Sequence, residues 1–165
     1  MTEQEIGVRP IDFARDEQPL RAFIDDRDKM RLEHCEAAVN DGDCFVFVAD
    51  EAGVAVGWAM AHVKYRADQD WEPDPETEQF HHGENAYLEN IAVTARLRSQ
   101  GVGSKLIEAV EAEAKRRGKR ALWLHTSENN VMAHKLFERE GWTHERSVNP
   151  PWKPAARMRI YRKKL

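Results

Sequence analysis

Residues 98–103 read Arg98-Ser99-Gln100-Gly101-Val102-Gly103 and stand between a strand pattern and a helix pattern. The run before them, 86–93, reads as a buried strand, and the run after them, 104–117, reads as an amphipathic helix. A glycine-rich turn that feeds a helix offers backbone N–H groups without intrahelical acceptors, at the positive end of the helix dipole. That chemistry suits a phosphorylated ligand. Two familiar phosphate motifs fail here. A dinucleotide fingerprint needs a third glycine where Leu106 stands, and a P-loop needs glycine, lysine and serine in an order that Gly103-Ser104-Lys105 lacks. His81-His82-Gly83-Glu84 has neither the H-E-x-x-H spacing nor an evident partner set, so no metal is expected.

The elements that must hold this turn follow from periodicity. A first strand over 6–11 is closed or bent by Pro10. Two short helices occupy 16–39, with Leu20, Phe23 and Ile24 on one face. Runs 44–49 and 54–63 are antiparallel neighbours joined by the hairpin turn Asp50-Glu51-Ala52-Gly53. Strand 87–93, a helix and strand 121–126 form a βαβ crossover, which makes the two strands parallel. In that helix Leu106, Ile107, Val110 and Ala114 share a face, and Gly118 stops it. A further helix runs from a cap at Asn129/Asn130 through Glu140 to Gly141, and 142–145 and 157–162 read as a last pair of strands. Between 64 and 85 acidic residues outnumber Lys64 and Arg66, with Pro73, Pro75 and no period, which reads as a long acidic loop that Trp71 and Phe80 fold back.

Composition narrows the classes. A chain of 165 residues with 41% hydrophobic content has room for one core, so residues 1–165 are expected to form a single domain. A net charge of −4 implies no generic affinity for nucleic acid or an anionic membrane. The polar, acidic start lacks the basic and apolar regions of a secretory signal, and no apolar run is long enough to span a bilayer. Cys35 and Cys44 make neither a CxxC pair nor a disulfide framework, so free buried thiols and a cytoplasmic location are expected.

Three segments in order carry a resemblance. Glu89-Asn90-Ile91-Ala92-Val93, the R/Q-x-x-G-x-G/A pattern of Arg98–Ser104, and Asn130-Val131-Met132-Ala133-His134-Lys135-Leu136-Phe137-Glu138-Arg139-Glu140-Gly141-Trp142 resemble the central strand, pyrophosphate loop and late helix of the GNAT superfamily of acetyl-CoA-dependent N-acetyltransferases. The resemblance runs over most of the chain and is best over 86–142. It implies a mixed α/β fold: a central, mostly antiparallel twisted sheet flanked by helices, with splayed parallel central strands. It implies acetyl-CoA as co-substrate. The backbone N–H groups of Gln100, Gly101, Val102, Gly103 and Ser104 would cradle its pyrophosphate, with Ser99 in the same loop and Arg98 either adding charge or solvated. Backbone groups of Ile91, Ala92 and Val93 would pair with the pantetheine arm, and the N–H near Ile91 would polarise the thioester carbonyl. Asn130 either bonds the coenzyme arm or caps its helix.

The chemistry that the resemblance implies is direct attack of a primary amine on the thioester. Glu89 stands where many members place a general base, and a buried glutamate with a raised pKa would suit; the competing role is a structural carboxylate paired to an arginine. His125 is a second candidate. Phe137 replaces the tyrosine that usually protonates the leaving thiolate. Either the enzyme works without a dedicated acid, or Tyr87, Ser127 or a water serves, or the domain binds acetyl-CoA without turnover. The acidic 64–85 loop is either part of an acceptor site for a small cationic amine or a peptide amine, or simply solvated. A homodimer is the default assembly.

Overall fold

The computed structural model describes residues 4–63, 84–150 and 153–165. The expectations placed on 64–83, including the acidic loop and His81–Gly83, lie outside the described residues, as do Pro151 and Trp152. Strands β1 (Ile6–Pro10), β2 (Cys44–Glu51), β3 (Val54–His62), β4 (Asn85–Val93), β5 (Ala121–Ser127), β6 (Thr143–Val148) and β7 (Met158–Lys164) form one sheet in the order β1-β2-β3-β4-β5-β7-β6. Every neighbouring pair is antiparallel except β4 and β5. The helices are α1 (Phe13–Arg21), α2 (Asp26–Asn40), α3 (Val102–Arg116) and α4 (Val131–Arg139).

Alternation along β2 and β3 splits the core in two. Val46, Val48, Trp58 and Met60 pack with Leu20, Leu32 and Cys35 of α1 and α2. Phe45, Ala49, Ala59 and Ala61 pack on the opposite side with Leu106, Ile107 and Val110 of α3. The polar tie between layers is Asp16, whose buried carboxylate accepts two hydrogen bonds at 2.7 Å from Arg9 of β1 and one from the Asp12 N–H. Cys35 and Cys44 are free and buried, as expected. No helix among the described residues is long and apolar enough to cross a membrane.

Several boundaries differ from the sequence expectation. Helix α3 starts at Val102 rather than 104, because Gly101 takes the N-cap position with φ +84°. The last two strands lie later than 142–145 and 157–162. The Trp142 N–H donates to the Phe137 carbonyl beyond the left-handed Gly141, so Trp142 still closes α4 and β6 begins after it. Strand β7 continues to Lys164, whose lysines hide the pattern; Lys163 donates to the Glu140 carbonyl at 2.7 Å.

Two irregularities shape the centre of the sheet. The β4–β5 pairing is confined to Asn85↔Ala121, Ala86↔Leu122 and Tyr87↔Trp123, after which β4 goes on alone along that edge. Opposite, β3 pairs Met60 with Asn90 and Ala61 with Leu88, so Glu89 is an extra residue on β4, a β-bulge.

Candidate functional site

The turn before α3 is built as a cradle of donors. Ser99 and Gly101 both have positive φ, +61° and +84°. Successive N–H groups in such a conformation converge on one side and suit an anion. Among the described residues, no N–H from Ser99 to Ser104 donates to a backbone carbonyl. Side chains brace the outside: the Gln100 amide donates to the Arg96 carbonyl at 2.9 Å, and Arg98 Nε donates to the Val93 carbonyl at 3.2 Å. Arg139 of α4 donates to Ser104 Oγ at 3.2 Å, which brings a cation to the loop that the motif did not announce. The two glycines serve different ends. Gly101 has open space around it and is needed for its φ, whereas a Cβ on Gly103 would sit 3.2 Å from Leu136 of α4.

The free edge of β4 leads into this cradle, and its polarity follows from the ladder. In an antiparallel pair, residues alternate between exchanging hydrogen bonds with the partner and pointing them away. The Thr94 N–H donates to the Val56 carbonyl. With Gly57↔Val93 and Trp58↔Ala92 in register, Ala92 faces β3 while Ile91 and Val93 turn their N–H and C=O groups to the open side. The three backbones expected to act together therefore divide: Ile91 and Val93 present an edge for another extended chain, and Ala92 spends its groups within the sheet.

Where β4 and β5 part, polar side chains converge. The Tyr87 hydroxyl and His125 Nδ1 share a hydrogen bond of 3.1 Å across the opening, and Tyr87 lies against Trp123 with ring centroids 4.3 Å apart. Burial pushes the Tyr87 phenol well up. The bulged Glu89 meets two partners: His62 Nε2 of β3 on one carboxylate oxygen, and Arg31 Nε of α2 on the other at 3.2 Å. Arg31 also donates to Asp28 at 2.7 Å. Burial pulls the Glu89 pKa up, but the hydrogen bond from His62 and the guanidinium of Arg31 outweigh it and hold the carboxyl below its ordinary value. The raised pKa that a glutamate base would want is not what this environment produces. Glu89 is ionised and paired to an arginine, and it is paired to a histidine that sequence reasoning missed.

Two further residues have evident partners within the fold. Asn130 is the N-cap of α4, its Oδ1 accepting the Ala133 N–H at 3.2 Å. Phe137 is buried, 5.2 Å from the Trp142 ring and 6.2 Å from Tyr161. Its contacts are those of a core residue. Among the described residues no group of three His, Cys, Asp or Glu side chains is arranged to hold a metal.

This arrangement has relatives. The chain is 41% identical over 66 residues to GCN5-related N-acetyltransferase 4, chloroplastic, of Arabidopsis thaliana; the match spans 40% of this chain and 22% of that protein. Two solved structures share the fold over nearly their whole length. The N-acetyltransferase of Staphylococcus aureus Mu50 superposes with a TM-score of 0.71 at 20% identity, covering 97% of this chain and 98% of its own. The ribosomal-protein-alanine N-acetyltransferase of Brucella melitensis does so with a TM-score of 0.71 at 20% identity, covering 96% and 99%. The family model of the acetyltransferase (GNAT) family matches residues 11–142. That match spans most of the chain, and the chain belongs to the GNAT acetyltransferase family.

Proposed function

We propose that this chain transfers an acetyl group from acetyl-CoA to a primary amine, by direct attack and with Glu89 assisting deprotonation. The observation that carries the reading is the open edge of β4 past Tyr87, which runs from Glu89 to the donor turn before α3. The residues suit the coenzyme at both ends. An extended amide-bearing arm can pair with Ile91 and Val93, and a diphosphate can take the N–H groups of Gln100 to Ser104 at the positive end of α3. Bound there, the thioester supplies an activated acetyl group. Arg98 and Arg139 add positive charge beside the loop.

The acceptor we favour is a small cationic amine, because the sequence leading from β3 into β4, residues 64–85, is rich in acidic residues and would attract a cation. A peptide amine is the second reading; the similarity to a protein named for acetylating a ribosomal-protein alanine favours it. The test is release of free thiol from acetyl-CoA across polyamines, aminoglycosides and lysine- or N-terminal-amine peptides. Acceptor-dependent thiol release supports transfer, and the acceptor class decides between the two readings. Tight coenzyme binding with no thiol release from any amine means a binding module instead.

Gly101→Ala offers a narrower check. The Cβ meets no atom, so the cost is the left-handed backbone alone, about 1–2 kcal/mol. If the loop relaxes out of its donor geometry to avoid that cost, coenzyme A binding weakens by about tenfold, since 1.4 kcal/mol is one decade. Calorimetry reads the affinity of the folded variant and urea unfolding its stability; unchanged affinity with unchanged stability would mean that the turn relaxed without consequence and is not in the binding site.

A further inference from the structure

We infer that His62 is the group that takes the proton from the acceptor amine, and that Glu89 is a positioning residue that acts through it. This rests on the acetyl-transfer reading above.

The argument begins with the pairing of a histidine and an anion. Glu89 can only accept when ionised, so its hydrogen bond with His62 Nε2 requires the proton to sit on Nε2. A neutral ring protonated there has its lone pair on Nδ1. No described residue donates to or accepts from that nitrogen. Imidazole fixed in one tautomer by a carboxylate at its far nitrogen is the arrangement in which the near nitrogen works as a base and the carboxylate stabilises the resulting cation. Glu89 itself is badly suited to take the proton. Both its oxygens are engaged, one by His62 and one by Arg31, and Asp28 holds Arg31 in turn.

Position supports the same assignment. His62 ends β3, directly before the acidic stretch, and its ring stacks on Tyr87 at 6.3 Å, the last β4 residue paired with β5. It therefore stands across β4 from the open edge to which Ile91 and Val93 turn, with its ring against the two β4 residues, Tyr87 and Glu89, at which β4 and β5 part. The groups that meet it are Glu89 and Tyr87 from β4 and Cys44 across the β2 ladder; Arg31 of α2 reaches it only through Glu89, with Asp28 behind Arg31 and Cys35 in the field of Glu89, and His125 of β5 reaches it only through Tyr87. Burial raises both thiols, which leaves Glu89 as the anion beside the ring.

The step balances without another reagent. The neutral amine's lone pair forms the C–N bond to the acetyl carbon, and one proton leaves that nitrogen for His62 Nδ1. The C–S bond breaks with its electron pair on sulfur, and the imidazolium proton neutralises the thiolate. The ring returns to its starting tautomer. One histidine thus covers both proton transfers, and the phenylalanine at 137 costs the reaction nothing.

Two measurements test this. The first is kcat at saturating acceptor between pH 5 and 9, for wild type, His62→Gln and Glu89→Gln. The expected result is a fall of roughly 100-fold or more in His62→Gln, in keeping with loss of a general base. The acidic limb of its profile should disappear, with the KM for acetyl-CoA unchanged. In Glu89→Gln the limb should persist while kcat falls, because the ring remains and has lost the carboxylate that fixes its tautomer. If His62→Gln keeps the limb while Glu89→Gln loses it, Glu89 is the base and the inference is wrong. If wild type turns over and His62→Gln matches it, only the inference falls; if wild type releases no thiol with any amine, the transfer reading falls with it. The second measurement does not depend on activity: the ¹⁵N resonances of His62 in the wild-type protein at pH 7.5. A ring protonated on Nε2 alone is expected, and an Nδ1-protonated ring or an imidazolium overturns the assignment.

Discussion

Glu89→Ala is expected to unfold about 3–5 kcal/mol more easily than wild type at pH 7, with that gap closing as the pH falls below about 4. The first number is the usual cost of removing one member of a buried ion pair, which strands its partners. Arg31 keeps Asp28, but the His62 ring loses its only hydrogen-bond partner among the described residues. The pH dependence follows from linkage. The folded-state pKa of Glu89 is depressed, so its stabilisation is fully present above the unfolded value of roughly 4.3 and is lost as the pH falls through the folded value. Asp16, held low by Arg9 and the Asp12 N–H against its burial, and Glu113, lowered to about 2 chiefly by Arg116, move in the same direction. Wild type should therefore lose stability on acidification more steeply than the variant. Urea unfolding of both proteins at pH 7 and in steps toward pH 3 checks the result; a constant gap across that range would mean that Glu89 is not ionised in the fold.

Phe137→Ala should lower stability by about 3–5 kcal/mol, the range for truncating a buried aromatic side chain. The ring is 3% exposed and fills the space between Trp142 and Tyr161 on the α3 side of the sheet. A fall in the urea midpoint with an unchanged m-value would confirm a packing role. Phe137→Tyr separates packing from chemistry. If His62 returns the proton to the thiolate, supplying a phenol at this position gains less than about tenfold in kcat, well under the 10²–10⁴ range of a missing general acid. A larger gain would mean that the proton is still short in the wild-type reaction.

Much of this was legible in the residues. The strand–turn–helix–strand unit from 85 to 127 follows from short-range patterns: a buried run, two glycines, a 3.6-residue period and a second buried run. The motif at 98–103 needs only local backbone geometry, and it stands where it was expected. What escaped was non-local. Nothing near His62 marks it, because it ends an apolar run and reads as a strand terminus. Only the β3–β4 register, shifted by one residue at the bulge, sets it against Glu89. The pairing of β3 with β4 beyond the bulge decides that Ile91 and Val93 face outward and Ala92 does not, a parity that a strand pattern alone leaves undefined. Arg31 sits among several charges on α2, and the sequence offers no means of choosing it as the partner of a carboxylate more than fifty positions away. Gly103 carried a local explanation, yet the closest constraint on it is Leu136 in the next helix. In each case local chemistry named the residue, and tertiary register assigned its partner.

The central claim is that the open edge of β4 and the turn before α3 together hold the coenzyme. Amide hydrogen exchange, resolved by residue and measured with and without coenzyme A, tests it most directly. The account predicts that the N–H groups of Ile91 and Val93 gain protection together with those of Gln100 to Ser104, while Ala92, already bonded to β3, changes little. Coenzyme A that binds with no new protection at Ile91, Val93 or the turn would contradict it.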